Sequence, residues 1–229
     1  RDMKELAPGS LGVSGSGREE ERIAIAINAD SIATWALPAL TALAQQGLAL
    51  EIIADDQNFT QEWLREGKVL GCVTTLKQAL RGCKMVALGA MDYVAVATPA
   101  FAHARLAFNG QTQLTAHNFR SVPFIAFNRK DDMQAEFVGQ AFGLKRVTLN
   151  QLFVPSSEGQ VRAVLAGWGV SVVPRLLVEG LLQQGLLLNV TPACAAQVQL
   201  YWHCWNLQSE VLDALTDAVS EAAARALKM

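Results

Sequence analysis

Short apolar runs of strand length recur along this chain, and helix-length stretches separate most of them. The runs are Ile23–Ile27, Leu48–Ala54, Val69–Val73, Tyr93–Ala97, Phe124–Phe127, Leu152–Val154, Val170–Val173 and Leu186–Val190. The helical stretches are Thr60–Glu66, Met133–Phe142, Glu158–Ala166 and Arg175–Gln184. This alternation predicts an α/β architecture of parallel sheets with helices on both faces. Pro38 costs about 3 kcal/mol inside a helix, so the stretch after Ile27 is expected as a short first turn, then a helix from near Pro38 to Gly47. The chain closes on an aromatic strand, Gln199–Trp205, and a helix, Ser209–Leu227. That helix's apolar positions Val211, Leu215, Ala218, Ala222 and Ala226 recur at helical spacing.

Composition narrows the function classes. With 229 residues, 51% of them apolar, the chain can bury a sizeable core as one large domain or two lobes. Nineteen Lys and Arg against twenty-one Asp and Glu leave a net charge of -2, which provides no basic field to hold nucleic acid. The four cysteines lack C-x-x-C spacing and are expected as buried free thiols. Residues 1–22 include the glycine- and serine-rich GSLGVSGSG and read as a linker, and the start at Arg1 points to a segment preceding it. No apolar run reaches the roughly 18 to 20 residues of a membrane span, and no signal peptide pattern is present, so a cytoplasmic protein is expected.

The sequence contains no P-loop, G-x-G-x-x-G, H-E-x-x-H or G-x-S-x-G, which argues against nucleotide, zinc-hydrolase and α/β-hydrolase chemistry. No enzyme and no cofactor are expected. His103 and His117 fall in polar segments, and a structural role is the expectation for His203 in the aromatic strand. The informative feature is polar residues at the carboxyl ends of apolar strands. Ile27 leads to Asn28, Asp30 and Ser31; Val73 to Thr74 and Thr75; Phe127 to Asn128; Val154, through Pro155, to Ser156, Ser157 and Glu158. In open α/β sheets ligands bind beyond such strand ends, where helix N-termini attract a carboxylate. The alternative is that Ser31 and Ser157 only cap their helices. Asp30, Asp131, Asp132 and Glu158 lie at or near the same junctions and would receive a cation opposite that carboxylate, as in a basic amino acid. Acids there can also merely complement the helix dipole.

Several segments carry a family resemblance: Asn28-Ala29-Asp30-Ser31 followed by Ala33-Thr34-Trp35, Leu70-Gly71-Cys72-Val73-Thr74, Leu88-Gly89-Ala90-Met91-Asp92-Tyr93, Val154-Pro155-Ser156-Ser157-Glu158 and Leu200-Tyr201-Trp202-His203. In order and spacing from Ile23 to the C-terminus, this set resembles the effector-binding region of LysR-type transcriptional regulators, more narrowly the arginine- and lysine-responsive ArgP/LysG-like branch. The resemblance implies a periplasmic-binding-protein-like (type 2) fold of two Rossmann-like lobes joined by two crossover strands. The first lobe would comprise 23–92 plus 199–229 and the second 93–198, with crossovers at Tyr93–Thr98 and Gln199–Trp205. It also implies an effector cleft between the lobes, with Asn28, Asp30, Ser31, Thr74, Thr75, Phe127, Asp132, Ser156, Ser157, Glu158 and Trp202 as candidate contacts.

By the same resemblance, Ser31, Thr75 and one of Ser156 or Ser157 fall where effectors are contacted; the expected mechanism is that the helix N-termini after Asp30 and Ser156 hold the effector carboxylate and Asp30, Asp132 or Glu158 receives the basic end. Lobe closure then changes the arrangement of a homodimer or homotetramer, which acts on DNA through an N-terminal winged helix-turn-helix outside this chain and contacts RNA polymerase. Ile32, Trp35 and Leu37 are the candidate dimer contacts, the alternative for Trp35 being packing into its own lobe. A solute-binding protein of a transport system shares the fold and is the competing expectation. A hydrolase using Ser157 lacks a histidine close in sequence.

Overall fold

The computed structural model describes residues 22–55 and 59–228. The linker expected over 1–22 therefore lies outside the described residues apart from Arg22. The apolar run at 23 becomes β1 (Ile23–Asn28), and the chain turns directly into α1 (Ala29–Ser31), a π-helical segment (Ile32–Ala36) and α2 (Leu37–Gln45). The expected break near Pro38 is absent. The widened π turn ends just ahead of Pro38, which falls in the first turn of α2, where a missing N–H costs nothing.

The chain continues through β2 (Leu50–Asp55), α3 (Thr60–Arg65), β3 (Gly71–Thr74) and β4 (Cys83–Ala97), then α4 (Pro99–Arg105), β5 (Ala107–Phe108), β6 (Gln111–Thr112) and β7 (Pro123–Ala126). After these come α5 (Met133–Phe142), β8 (Asn150–Phe153), α6 (Ser157–Leu165), β9 (Ser171–Pro174), α7 (Arg175–Gln183), β10 (Leu188–Asn189), β11 (Ala196–Trp205) and α8 (Glu210–Ala226). Helix α4 was not expected. It is short, and its start is marked by Thr98, whose hydroxyl accepts from the Phe101 N–H at 3.2 Å.

The sheet is mixed rather than parallel throughout. β1 pairs in parallel with β2 and β3, β7 with β8, but β4 and β11 run antiparallel to each other and to their other partners. Both are longer than the crossovers expected from the sequence. Each runs unbroken from one lobe into the other, which is what an apolar run read only from residue 93 or 199 misses. β4 carries an irregularity against β11 at Leu200/Tyr201. There Gly89 adopts φ +116, and a side chain would meet the Lys228 carbonyl at 2.7 Å, so glycine lets the C-terminal tail bridge to Ala90.

In the first lobe, Ile25, Ile27, Val73 and Trp202 pack against Leu212, Leu215 and Val219 of α8. Each large side chain so buried contributes about 1.5–3 kcal/mol. The buried stripe of α8 is Leu212, Leu215, Val219, Ala222 and Ala223, turned from the expected one that began at Val211 and included Ala218. Tertiary packing selects Leu212 and Val219 over these neighbours because they are the larger or better-placed apolar groups. In the second lobe Val94, Val96, Ile125 and Val173 pack against Val161 and Val164 of α6 and Val178 of α7. The four cysteines are free thiols, Cys72 and Cys204 buried, Cys83 and Cys194 half-buried. Burial pushes Cys72 up to about 12, which leaves it without nucleophilic character at neutral pH. No described helix is long and apolar enough to cross a membrane.

Candidate functional site

The strand ends meet in one place. Asn28 and Asp30 at the end of β1, Asp55 at the end of β2, Phe127 and Asp131 after β7, and Met133, Gln134, Gln160 and Val172 surround a cavity of about 30 Å³. That holds water but not an amino acid.

Asp30 is the centre of this cavity's chemistry. Its Oδ1 accepts from the Ser157 hydroxyl at 2.6 Å, and its Oδ2 from the Tyr93 hydroxyl at 2.6 Å. The first bond joins the two lobes directly, since Ser157 opens α6. Burial pushes the Asp30 carboxyl above its ordinary range; the two hydroxyl donors oppose this, and the charge of Asp131 adds to it. Asp131 is itself buried and raised, chiefly by desolvation. It accepts from the backbone N–H of Phe127 and of Met133, both at 2.9 Å. Among the described residues lining the cavity there is no Lys, Arg or His. Two acids, Asp131 buried and Asp30 half-buried, thus share a cavity whose described lining offers them no cation.

The polar groups beside Asp30 are unusual. Asn28 is 1% exposed and neither its Oδ1 nor its Nδ2 has a hydrogen-bond partner among the described residues; Ser31 is 0% exposed and its Oγ likewise has none. The alternative that Ser31 and Ser157 only cap their helices is not met: neither Ser31 nor Asn28 makes a cap hydrogen bond, and Ser157 instead donates to Asp30. Ser156 is the residue that caps, accepting from the Gly159 N–H at 3.0 Å. A buried amide and hydroxyl left unpaired each cost about 1–3 kcal/mol, and of the two residues Asn28 lines the cavity while Ser31 does not.

The remaining predicted contacts are elsewhere. Thr74 is buried at the end of β3, donating to Gln61 Oε1 at 2.9 Å and accepting from the Leu76 N–H at 3.3 Å. Thr75, Asp132, Ser156 and Glu158 do not line the cavity; Asp132, Ser156 and Glu158 are exposed. The adjacent Asp131, not Asp132, turns inward, because its carboxylate caps the turn between β7 and α5 on both sides. Trp202 is a core residue, 0% exposed, with its Nε1 donating to Thr216 Oγ1 at 3.0 Å and its ring filling the space where a Gly71 side chain would be. It faces α8 and cannot reach an effector in this cavity. His203 is fully buried and pinned by its Nε2 to the Leu76 carbonyl at 2.8 Å.

Trp35 takes the alternative given for it: at 4% exposure it belongs to the core of its own lobe. Leu37 is 47% exposed, and Ile32 is half-buried against the core. Tyr93, Gln134 and Gln160 were missed. The two glutamines had a legible signal: each is a polar residue in the phase of an apolar helix stripe, Gln134 with Phe137 and Val138, Gln160 with Ala163 and Val164. Tyr93, inside an apolar strand, had none.

Comparison with known proteins places this architecture. The LysR substrate binding domain matches residues 16–224. The HTH-type transcriptional regulator ArgP of Proteus mirabilis is 37% identical over 219 residues, 95% of this chain and 72% of that protein. ArgP of Salmonella typhi is 36% identical over 100% of this chain and 76% of its own length. Among solved structures, ArgP from Mycobacterium tuberculosis superposes with a TM-score of 0.82 at 34% identity, covering 93% of this chain and 71% of that one. Full-length LysG from Corynebacterium glutamicum with bound effector Arg gives 0.82 at 31% identity, covering 92% and 70%. The mixed sheet, the two lobes and the continuous crossover strands are the periplasmic-binding-protein-like type 2 fold of these structures, and this chain belongs to the LysR substrate-binding-domain family.

Proposed function

We propose that this chain is the effector-sensing domain of a LysR-type transcriptional regulator and that its effector is a basic amino acid, L-arginine or L-lysine. The observation that carries the reading is the wall at the end of β1: the half-buried Asp30 carboxylate, with no cationic side chain lining its cavity among the described residues, beside the unpaired amide of Asn28 in the same lining and, just behind the lining, the unpaired hydroxyl of Ser31. The basic end of the effector pairs with Asp30, and Asn28 and Ser31 supply neutral hydrogen bonds. Its carboxylate goes to the amino end of α6, at Ser157 and Glu158. The regulators of Proteus, Salmonella and Mycobacterium, and the arginine bound to the Corynebacterium relative, support this choice.

The present cavity admits no amino acid, so entry requires the Ser157–Asp30 bond to yield and the lobes to part. The lobes are 23–92 with 199–229 and 93–198, moving about β4 and β11. Re-closure on the ligand then favours one arrangement of a homodimer or homotetramer, with the exposed Leu37 and the half-buried Ile32 in the contact. The domain works in the cytoplasm, its DNA contacts made by a winged helix-turn-helix in the same regulator, and it has no catalytic role. The transport reading finds no support among the relatives.

Titration calorimetry with L-arginine, L-lysine and L-leucine tests this. Saturable heat from a basic amino acid and none from leucine is expected. Equal binding of all three, or of none, overturns the ligand assignment.

A further inference from the structure

Asp30 is held by a residue that belongs to neither strand end. Tyr93 sits in β4 at the point where that strand has β11 on one side and β9 on the other, opposite Ala196 and Pro174. It is 1% exposed, and its hydroxyl reaches Asp30 Oδ2 at 2.6 Å across 63 residues of sequence. A phenol buried to this degree must spend its O–H on a partner, and a donor at 2.6 Å to a carboxylate is of the short, charge-assisted kind.

We propose that Tyr93 is a positioning residue of the cleft: its hydroxyl holds the Asp30 carboxylate as an anion facing the cavity and ties it to the strand that joins the lobes. The inference rests on the reading of the cleft as a basic-amino-acid site. Each carboxylate oxygen carries one hydroxyl donor and has lone-pair capacity left for a cation. The Ser157 bond crosses the gap between lobes and yields on opening. The Tyr93 bond also crosses the lobe boundary, but it is made by the first residue of the crossover stretch, paired with Ala196 of β11, where opening about β4 and β11 moves the strand least, so the acid arrives at the ligand already oriented.

The groups facing Asp30 are Asp55 from β2, Asp131 from the loop before α5, Ser157 from α6 and Tyr93 from β4. Asp132 and Glu136 share the field of Asp131. All the charged members are acids, and the charge of Asp131 favours protonation of Asp30. Tyr93, with Ser157, opposes them. Without its donor the carboxylate takes up a proton at higher pH, and a protonated acid cannot pair with a guanidinium or ammonium group.

The test uses Tyr93→Phe, which keeps the ring and removes only the donor, with a thermal melt to verify folding. Without any ligand, the Asp30 carboxyl resonance, assigned by its loss in Asp30→Asn, should titrate roughly one unit higher in Tyr93→Phe than in wild type. An unchanged midpoint overturns the proposal. Calorimetry with L-arginine across the same pH range should give roughly tenfold weaker binding below the wild-type midpoint, the gap closing as pH rises past the shifted one. A loss independent of pH points to packing alone and also overturns it. In the Asp30→Asn background Tyr93→Phe should add no further loss; an additive loss counts against it. If wild type binds neither arginine nor lysine, the functional reading fails, while the ligand-free titration still decides the role of Tyr93.

Discussion

The two walls of the cleft are built to opposite standards. On the second lobe the polar side chains pair internally: Asp131 takes two backbone N–H groups, and Gln134 clamps Val172 through both its N–H and its carbonyl, at 2.7 and 3.0 Å. Ser171 donates to the Ile125 carbonyl at 2.7 Å, with Gln160 at its back. On the first lobe, Asn28 and Ser31 are as deeply buried and have no partner among the described residues. One wall spends its polar groups on its own stability, and the other withholds them. Unpaired groups cost stability wherever they stand, and Trp35 Nε1, Thr191 Oγ1 and His203 Nδ1 also lack partners among the described residues; what sets Asn28 apart is that its unpaired amide lines the cavity beside Asp30.

This contrast can be broken by substitution. The largest effect is expected at Asp30: Asp30→Ala removes the acid facing the ligand's basic end, weakening arginine or lysine binding by about 2 to 5 kcal/mol, read by calorimetry. The unliganded domain should still fold with only a small change in melting temperature, because the removal of a desolvated carboxylate is offset by the Tyr93 and Ser157 hydroxyls it leaves without an acceptor. Unchanged affinity removes Asp30 from the site. On the opposite wall, Gln134→Ala strands the buried N–H and carbonyl of Val172, so its cost of about 2 to 4 kcal/mol should appear in urea unfolding. Affinity in the fraction that folds should stay close to wild type. If both glutamine and aspartate variants lose binding equally, the distinction between walls is wrong.

Ser31→Ala sharpens the comparison. A hydroxyl that pairs only with ligand should lose about 0.5 to 1.5 kcal/mol of affinity with no loss of stability, by calorimetry and melting on one sample. A drop in melting temperature with affinity intact would make Ser31 a structural residue.

The smallest effect is in pH. Burial raises Asp30 and Asp131 above their ordinary 3.8, so the folded state holds these protons more tightly than the unfolded chain. Their stabilising contribution is present below the ordinary value and is lost as pH rises through the folded-state values. His203 works the other way. Burial lowers it from 6.5, so the folded state refuses a proton the unfolded chain takes, and stability falls as pH drops below that value. The difference between Asp30→Asn and wild type cancels His203 and isolates Asp30. The asparagine variant should gain relative stability as pH rises from about 4 through the folded-state value, by urea midpoints. A flat difference would place the Asp30 carboxyl at its ordinary value.

Much of the fold was legible because strand and helix signals are local. α5 was anticipated to the residue, and β1, α3, α6 and α7 to within one or two, since an apolar period of two or 3.6 needs only neighbours to be read. The cleft was legible in part: Asn28, Asp30 and Phe127 line it, and Ser157 touches Asp30. Its errors are errors of phase. Asp131 and Asp132 are chemically identical, and only the turn geometry between β7 and α5 decides which carboxylate faces inward. Trp202 and His203 are consecutive strand residues and so face opposite sides of the sheet, but which side holds α8 is not written near them.

The amino-acid sequence by itself determined the alternation of strands and helices, the polar residues at strand ends and the family to which they belong, because each is a pattern over a short stretch. Only the tertiary structure decided that β4 and β11 run antiparallel through both lobes, that Trp35 lies in the core, and that Asp30 is gripped from two directions. The contacts to Tyr93 and Ser157 span 63 and 127 residues. Such distances are closed by the packing of whole lobes, whose free energy is spread over many apolar side chains, and no local pattern near residue 30 records which hydroxyls that packing brings within 2.6 Å.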